Sequence, residues 1–169
     1  MKTAILLNPH GKRQLVDFPS GKQPKVHPMP KENTDKQPIK VIVDSNALFV
    51  PLEFKIDIYA ELQRILNRNF RLTLISPVKR ELEILSQKSS PKMRKNVTFA
   101  LTFAEKCTYV KVSEKPNEPT DESILRVAQA WRAPVFTNDK ILKRKLTDIS
   151  IPVIYVRAKS RLEIDGLIS

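Results

Sequence analysis

The chain has 169 residues, with 41% hydrophobic and 28% charged side chains and a formal net charge of +12. That balance excludes wholesale disorder, and the length suits one domain with a remainder. Apolar runs stop at four or five residues, too short to cross a bilayer, and Ala4–Leu7 falls short of a secretory h-region of about 7–15 residues.

The composition shifts near residue 38. Residues 1–38 hold 6 of the 13 prolines and 2 of the 3 glycines, and carry +4. A short strand is predicted at Thr3–Leu7; from Asn8 to Pro38 no helical or strand period is visible. The Gly-Lys pairs at 11–12 and 21–22 are not phosphate loops, because Val16 stands where the second needs glycine and Gln23 follows Lys22. The segment reads as a basic, Pro-rich arm, expected to be flexible and suited to RNA or a partner protein.

Residues 39–169 alternate. Ile39–Asp44 reads as a strand buried on both faces. Asp57–Asn67 is an amphipathic helix with Ile58, Leu62, Ile65 and Leu66 on one stripe. Arg71–Ile75 is a second strand, and Ser76-Pro77 reads as an N-cap and first-turn proline for a helix through Leu85. Ser90-Pro91 repeats that signal for a helix to about Cys107. Tyr109–Val112 is a third strand and Asp121–Trp131 a helix that begins at Thr120. Pro134–Thr137 is a fourth strand, Asn138 is the expected cap of a helix to about Leu146, and Pro152–Val156 is a fifth strand. This order predicts an α/β fold with a mainly parallel sheet of about five strands flanked by helices.

In such a sheet ligands bind beyond the carboxyl ends of the strands. Asp44 ends the first strand, Glu81 lies early in the helix after the second, Asp121 and Glu122 open the helix after the third, and Asp139 opens the helix after the fourth. Helix first turns favour acids in any case. Asp44 is harder to explain that way, because a charge at a buried strand end needs a partner. Carboxylates gathered without an arginine repel one another, and Mg²⁺ or Mn²⁺ resolves that repulsion. The basic body around this acidic edge predicts a polyanionic partner, and RNA or DNA fits. One cysteine, Cys107, excludes an internal disulfide and a thiolate zinc cage, and fits a reducing cytoplasmic setting.

These residues resemble the PIN-domain nucleases. VIVDSN at 41–46 looks like their opening strand and turn, KRELEIL at 79–85 like their second-acid helix, TDESIL at 120–125 like their third motif, and FTND at 136–139 like the end of their fourth strand. NDKILKRKL at 138–146 and PVIYVRAKSRLE at 152–163 are similar to the PIN nuclease of the small-subunit processome, which cuts pre-ribosomal RNA, and to its archaeal relatives. That group usually has Asp-Asp where this chain has Asp121-Glu122. The resemblance implies a three-layer PIN-like domain at 39–169 and a metal-dependent endoribonuclease. Its catalytic acids would be Asp44, Glu81, Asp121 and Asp139. These would hold Mg²⁺ or Mn²⁺ with help from Glu122, and Ser45, Asn46 and Thr137 would order them. Lys140, Lys143, Arg144 and Lys145 lie on the next helix, where they can grip phosphates; Lys79 and Arg80 are weaker candidates.

The implied substrate is RNA, as a ribosomal precursor, with ribosome-assembly proteins as partners through residues 1–38 and a cytoplasmic location, nucleolar in a eukaryote. A VapC-type toxin ribonuclease held by an antitoxin shares the same four acids, and a PIN fold that binds RNA without cutting is a third option. A dimer remains open. A receiver domain of the response-regulator kind needs a phosphoacceptor Asp after the third strand, where YVKVSEKP stands instead.

Overall fold

The computed structural model describes residues 2–7, 13–18 and 37–169, in two units that divide after Lys36. In the first unit, β1 (Lys2–Leu7) pairs antiparallel with β2 (Arg13–Phe18), Ile5 opposite Leu15. The strand expected at Thr3–Leu7 is present, and its partner strand was not expected. Of the proposed arm, residues 1, 8–12 and 19–36 lie outside the described residues.

The second unit opens with β3 (Ile39–Val43), followed by a 3-10 helix (Ser45–Phe49), α1 (Val50–Phe54) and α2 (Ile58–Leu66). The sequence hides the two short helices because Pro51 interrupts any helical period; in α1 it occupies the first turn, where its missing N–H costs nothing. The Asp57 carboxylate caps α2 through the Ala60 amide, and Asn67 ends it in a left-handed conformation that asparagine tolerates. Then come β4 (Phe70–Ile75), α3 (Ser76–Lys88), α4 (Pro91–Ala104) and β5 (Thr108–Val110). They are followed by α5 (Thr120–Trp131), β6 (Val135–Phe136), α6 (Lys140–Asp148), β7 (Val153–Arg157) and β8 (Arg161–Asp165).

Two caps differ from expectation. Ser76 is the first residue of α3 rather than its cap, and its hydroxyl instead accepts the Val112 amide. The cap of α6 is Asp139, not Asn138: its Oδ1 accepts the Ile141 and Leu142 amides at 2.7 and 2.8 Å.

The sheet order is β5-β4-β3-β6-β7-β8. The first five strands are parallel, with Ile42 opposite both Thr73 and Val135. The sixth strand, β8, is antiparallel to β7 and was not expected. No glycine or asparagine marks the turn before it. Val41, Ile42 and Val43 are fully buried, as the uninterrupted apolar run predicts. Helix α2 packs against β4 and β8, and α6 against β7; Leu62, Leu142 and Leu146 carry those contacts inward with no exposure. Each such side chain contributes about 1.5–3 kcal/mol. Among the described residues no helix is long and apolar enough to cross a membrane.

Sequence order along the sheet reverses between β3 and β6, because the chain runs from β3 outward to β5 and then returns to the other side of β3. A crevice at the carboxyl ends of those two strands is the usual ligand position in this architecture. Asp44 follows β3 and Thr137 follows β6 directly.

Candidate active site

Asp44 is 4% exposed, at the mouth of that crevice. Its Oδ1 accepts the Ser45 amide at 2.7 Å. Its Oδ2 accepts the Asn46 side-chain amide at 2.6 Å and the Thr137 hydroxyl at 2.7 Å. No cation contacts it among the described residues. Burial lifts its pKa from 3.8 to about 6; the Thr137 and Ser45 hydrogen bonds oppose that rise, and the charges of Glu81 and Asp121 add to it.

Asn46 and Thr137 tie the two strand ends together. Asn46 Oδ1 accepts the Asn138 amide at 3.0 Å, and Thr137 Oγ1 accepts the Asp139 amide at 3.1 Å. The Asn138 side chain then accepts the Val156 amide at 2.8 Å, which continues the β6–β7 ladder past its last backbone pair. Sequence reading missed this bridge because the asparagine was assigned to helix capping. Its signal is an asparagine placed between a strand end and an acid that can cap unaided.

The other acids gather around Asp44. Ser45 Oγ donates to Glu81 Oε1 at 3.1 Å. Asp121 makes no side-chain hydrogen bond among the described residues and lies in the fields of Asp139, Glu81 and Glu122. Burial first, then Asp139, pushes its carboxyl above the ordinary range, while Lys145 pulls it down. Asp139 spends Oδ1 on the α6 amides. The four strand-end acids predicted from sequence therefore share one electrostatic neighbourhood.

The predicted periphery divides. Glu122 Oε1 lies 2.7 Å from Lys145 Nζ, so one expected metal ligand and one expected phosphate ligand neutralise each other, both about half exposed. Lys143 reaches Asp165 at 3.2 Å and lies over the Tyr155 ring, 3.4 Å from its centre. Lys140 and Arg144 have no ion-pair partner among the described residues. Arg80 is paired with Glu114, and Lys79 sits over Tyr109.

The donor chemistry suits a hard divalent cation: all oxygen, net negative, and partly desolvated. As they stand, no three acidic, histidine or cysteine side chains among the described residues are close enough to enclose one ion. The Asp121 side chain makes no hydrogen bond among the described residues, so no described contact fixes its carboxylate at that distance.

Residues 41–159 match a family described as PIN like domain. Ribonuclease VapC4 of Methanocaldococcus jannaschii is 36% identical over 130 residues, covering 76% of this chain and 98% of that protein. Ribonuclease VapC9 of Archaeoglobus fulgidus is 32% identical over 126 residues, covering 75% and 89%. The structure of the PIN domain endonuclease Utp24 matches with a TM-score of 0.64 at 26% identity, covering 78% of this chain and 94% of that one. These named relatives favour the VapC-type alternative over ribosomal RNA processing. With its acids at the β3/β6 crevice, the chain belongs to the PIN-like domain family and is a nuclease.

Proposed function

We propose that the chain is an endoribonuclease that hydrolyses RNA phosphodiesters with Mg²⁺ or Mn²⁺ held by Asp44, Asp121 and Asp139. The observation that carries this reading is Asp44: buried, unpaired with any described cation, and in the field of Glu81 and Asp121. A divalent ion there lowers the pKa of a bound water and neutralises charge on the phosphate.

The chain's own residues do the rest. Thr137, Asn46 and the Ser45 amide hold the Asp44 carboxylate in one orientation. Such partners fix a ligand's direction before the ion arrives. Glu81, tethered to Ser45, orients the attacking water on the β4 side of the crevice. Glu122 assists by balancing Lys145. Lys140 and Arg144 draw the phosphate backbone toward α6.

The names of the sequence relatives support a VapC-type ribonuclease, a toxin restrained by an antitoxin. The likeness to an endonuclease structure and the basic first unit support the second reading, cleavage of precursor ribosomal RNA in the cytoplasm with assembly proteins docked on residues 1–38. Incubating the chain with structured and single-stranded RNA in Mn²⁺, Mg²⁺ or EDTA tests the proposal. Internal cuts in either metal, lost in EDTA and in Asp121→Asn, are expected. Equal cutting in EDTA would overturn it.

A further inference from the structure

Beside the acidic crevice lies a second cavity of about 410 Å³. It is within the size range of small-ligand sites. Phe54 and Tyr155 line it together with Lys140, Lys143 and Lys159, and no carboxylate contributes to its wall. Thr137, whose hydroxyl holds Asp44, belongs to its lining as well. An acidic site and a cationic, aromatic cavity thus meet at Thr137 and Asn138.

We propose that this cavity is a nucleotide subsite, which receives one nucleotide of single-stranded RNA next to the bond being cut. The inference rests on the ribonuclease reading above. The base lies against Phe54 and Tyr155, and its phosphate lies between Lys140 and Lys159. Stacking on aromatic walls with cations for the backbone is how single strands are held without base-specific contacts.

Three observations carry it. Lys140 and Lys159 have no ion-pair partner among the described residues, so neither must give up a carboxylate to take a phosphate. Lys143 pairs with Asp165 and its ammonium covers one face of the Tyr155 ring, so it is not among the cations offered to the phosphate and leaves the base the rest of the aromatic lining. Lys159 reaches the cavity from a turn closed by the Ser160 amide on the Arg157 carbonyl at 3.2 Å. Both central residues of that turn are left-handed, Ala158 at φ 51° and Lys159 at φ 55°. Glycine and asparagine favour such positions, and this turn uses neither. Backbone held in a disfavoured region tends to mark ligand clamps.

The test uses the full chain, a short single-stranded oligoribonucleotide, and copies of it with a single abasic position moved along the strand. Binding is followed by fluorescence anisotropy in Ca²⁺, and cleavage of the same oligonucleotides in Mn²⁺. Lys159→Gln and Lys140→Gln should each lower the slope of log K against log salt by about 0.7. Tyr155→Leu should weaken binding roughly five- to hundredfold. In the native chain one abasic position should weaken binding, and Tyr155→Leu should remove that sensitivity. Lys92→Gln, a change in an exposed lysine of α4, should leave the slope unchanged.

A native chain that cuts, with variants that keep its slope and abasic profile, overturns the subsite and leaves the ribonuclease reading standing. So does a Lys92→Gln slope that falls as far as the others. A native chain that binds through these residues without cutting overturns the ribonuclease reading alone. A chain that does neither overturns both. Melting temperatures identify any variant that fails to fold, and Lys159→Gln, at an exposed turn position that only the subsite uses, then carries the test.

Discussion

The candidate site has two halves built on different physics. The half on β3 and β6 is held by hydrogen bonds: Asp44 accepts three, and Asn46 and Thr137 lock the two strand ends together. The acidic start of α5 relies mainly on charge, with the Lys145–Glu122 ion pair as the one side-chain hydrogen bond of its two acids among the described residues. The Asp121 side chain has no hydrogen bond among the described residues, and Glu122 is balanced by Lys145. The first half is preorganised, so its cost is desolvation, visible in the raised pKa of Asp44. The second half is set by the balance of nearby charges, so it responds to whatever cation arrives. Binding energy at such a site comes from fixing the loose half against the rigid one.

The largest expected effect falls on the loose half. Asp121→Asn removes a carboxylate and no hydrogen bond, so RNA cleavage should fall more than roughly a hundredfold. The metal-free fold should keep its stability or gain some, because repulsion from Asp139 is relieved. Mn²⁺ at about 100 times its dissociation constant adds about 2.7 kcal/mol to a native chain that binds it. The variant should gain far less. Thermal melts with and without Mn²⁺, beside a cleavage assay, check both; a variant still metal-responsive and active would make Asp121 a helix-dipole residue only.

The next effect belongs to the rigid half and appears as pH dependence. Asp44 has a pKa of about 6 in the fold against 3.8 ordinarily. Between those values the folded state binds the extra proton, so the metal-free chain should lose stability as pH rises from about 4 to about 6 and then level off. The size is about 3 kcal/mol, taking 1.36 kcal/mol per pKa unit. Asp44→Asn should remove its own share of that slope and leave the part, of the same sign, that the raised Asp121 carboxyl contributes. With Mn²⁺ present the order reverses, since the ion competes with the proton and binds more weakly below pH of about 6. Denaturant melts across that range, with and without the ion, measure it.

The rigid half was legible in the sequence because its logic is local. An all-apolar strand ending in Asp44, followed by Ser45 and Asn46, leaves little else for a buried charge to do. The parallel order followed from alternating periods, and the convergence of Glu81, Asp121 and Asp139 followed from that order. Contacts between elements distant in sequence were not legible. Nothing near Lys145 announces Glu122, and nothing near Lys143 announces Asp165, so four basic residues that look alike in KILKRKL divide into two paired and two free of described partners. Strand β8 was missed because Ala158 and Lys159 take the left-handed positions of its turn without the glycine or asparagine that would announce it, and Asn138 because a cap and a ladder extension look the same in sequence.

Thr137→Val tests the seam between the halves and should have a smaller effect. The hydroxyl donates to Asp44 and accepts the Asp139 amide, so its loss strips both partners at a position with no exposure. A buried group left unpaired costs about 1–3 kcal/mol. Metal affinity should drop roughly 10–100-fold, because Asp44 loses its orientation. Calorimetric titration with Mn²⁺ reads the second effect. Unchanged affinity would mean that Asn46 and the Ser45 amide hold Asp44 without it.

The smallest effect separates charge from structure in the loose half. Lys145 is bonded to Glu122 and lies in the fields of Asp121 and Asp139. It is a surface group, and exposed pairs contribute little to stability, so Lys145→Gln should barely move the melting temperature. Its charge, however, stands where it opposes an incoming cation. Removing it should tighten Mn²⁺ binding at low salt, and the gain should fade as added salt screens the site beyond about 10 Å at 0.1 M ionic strength. Glu122→Gln should act in the opposite sense, because it frees the ammonium and removes an anion. If both variants weaken the metal equally at every salt concentration, the pair acts by holding the start of α5 in place, and the loose half is fixed by structure after all.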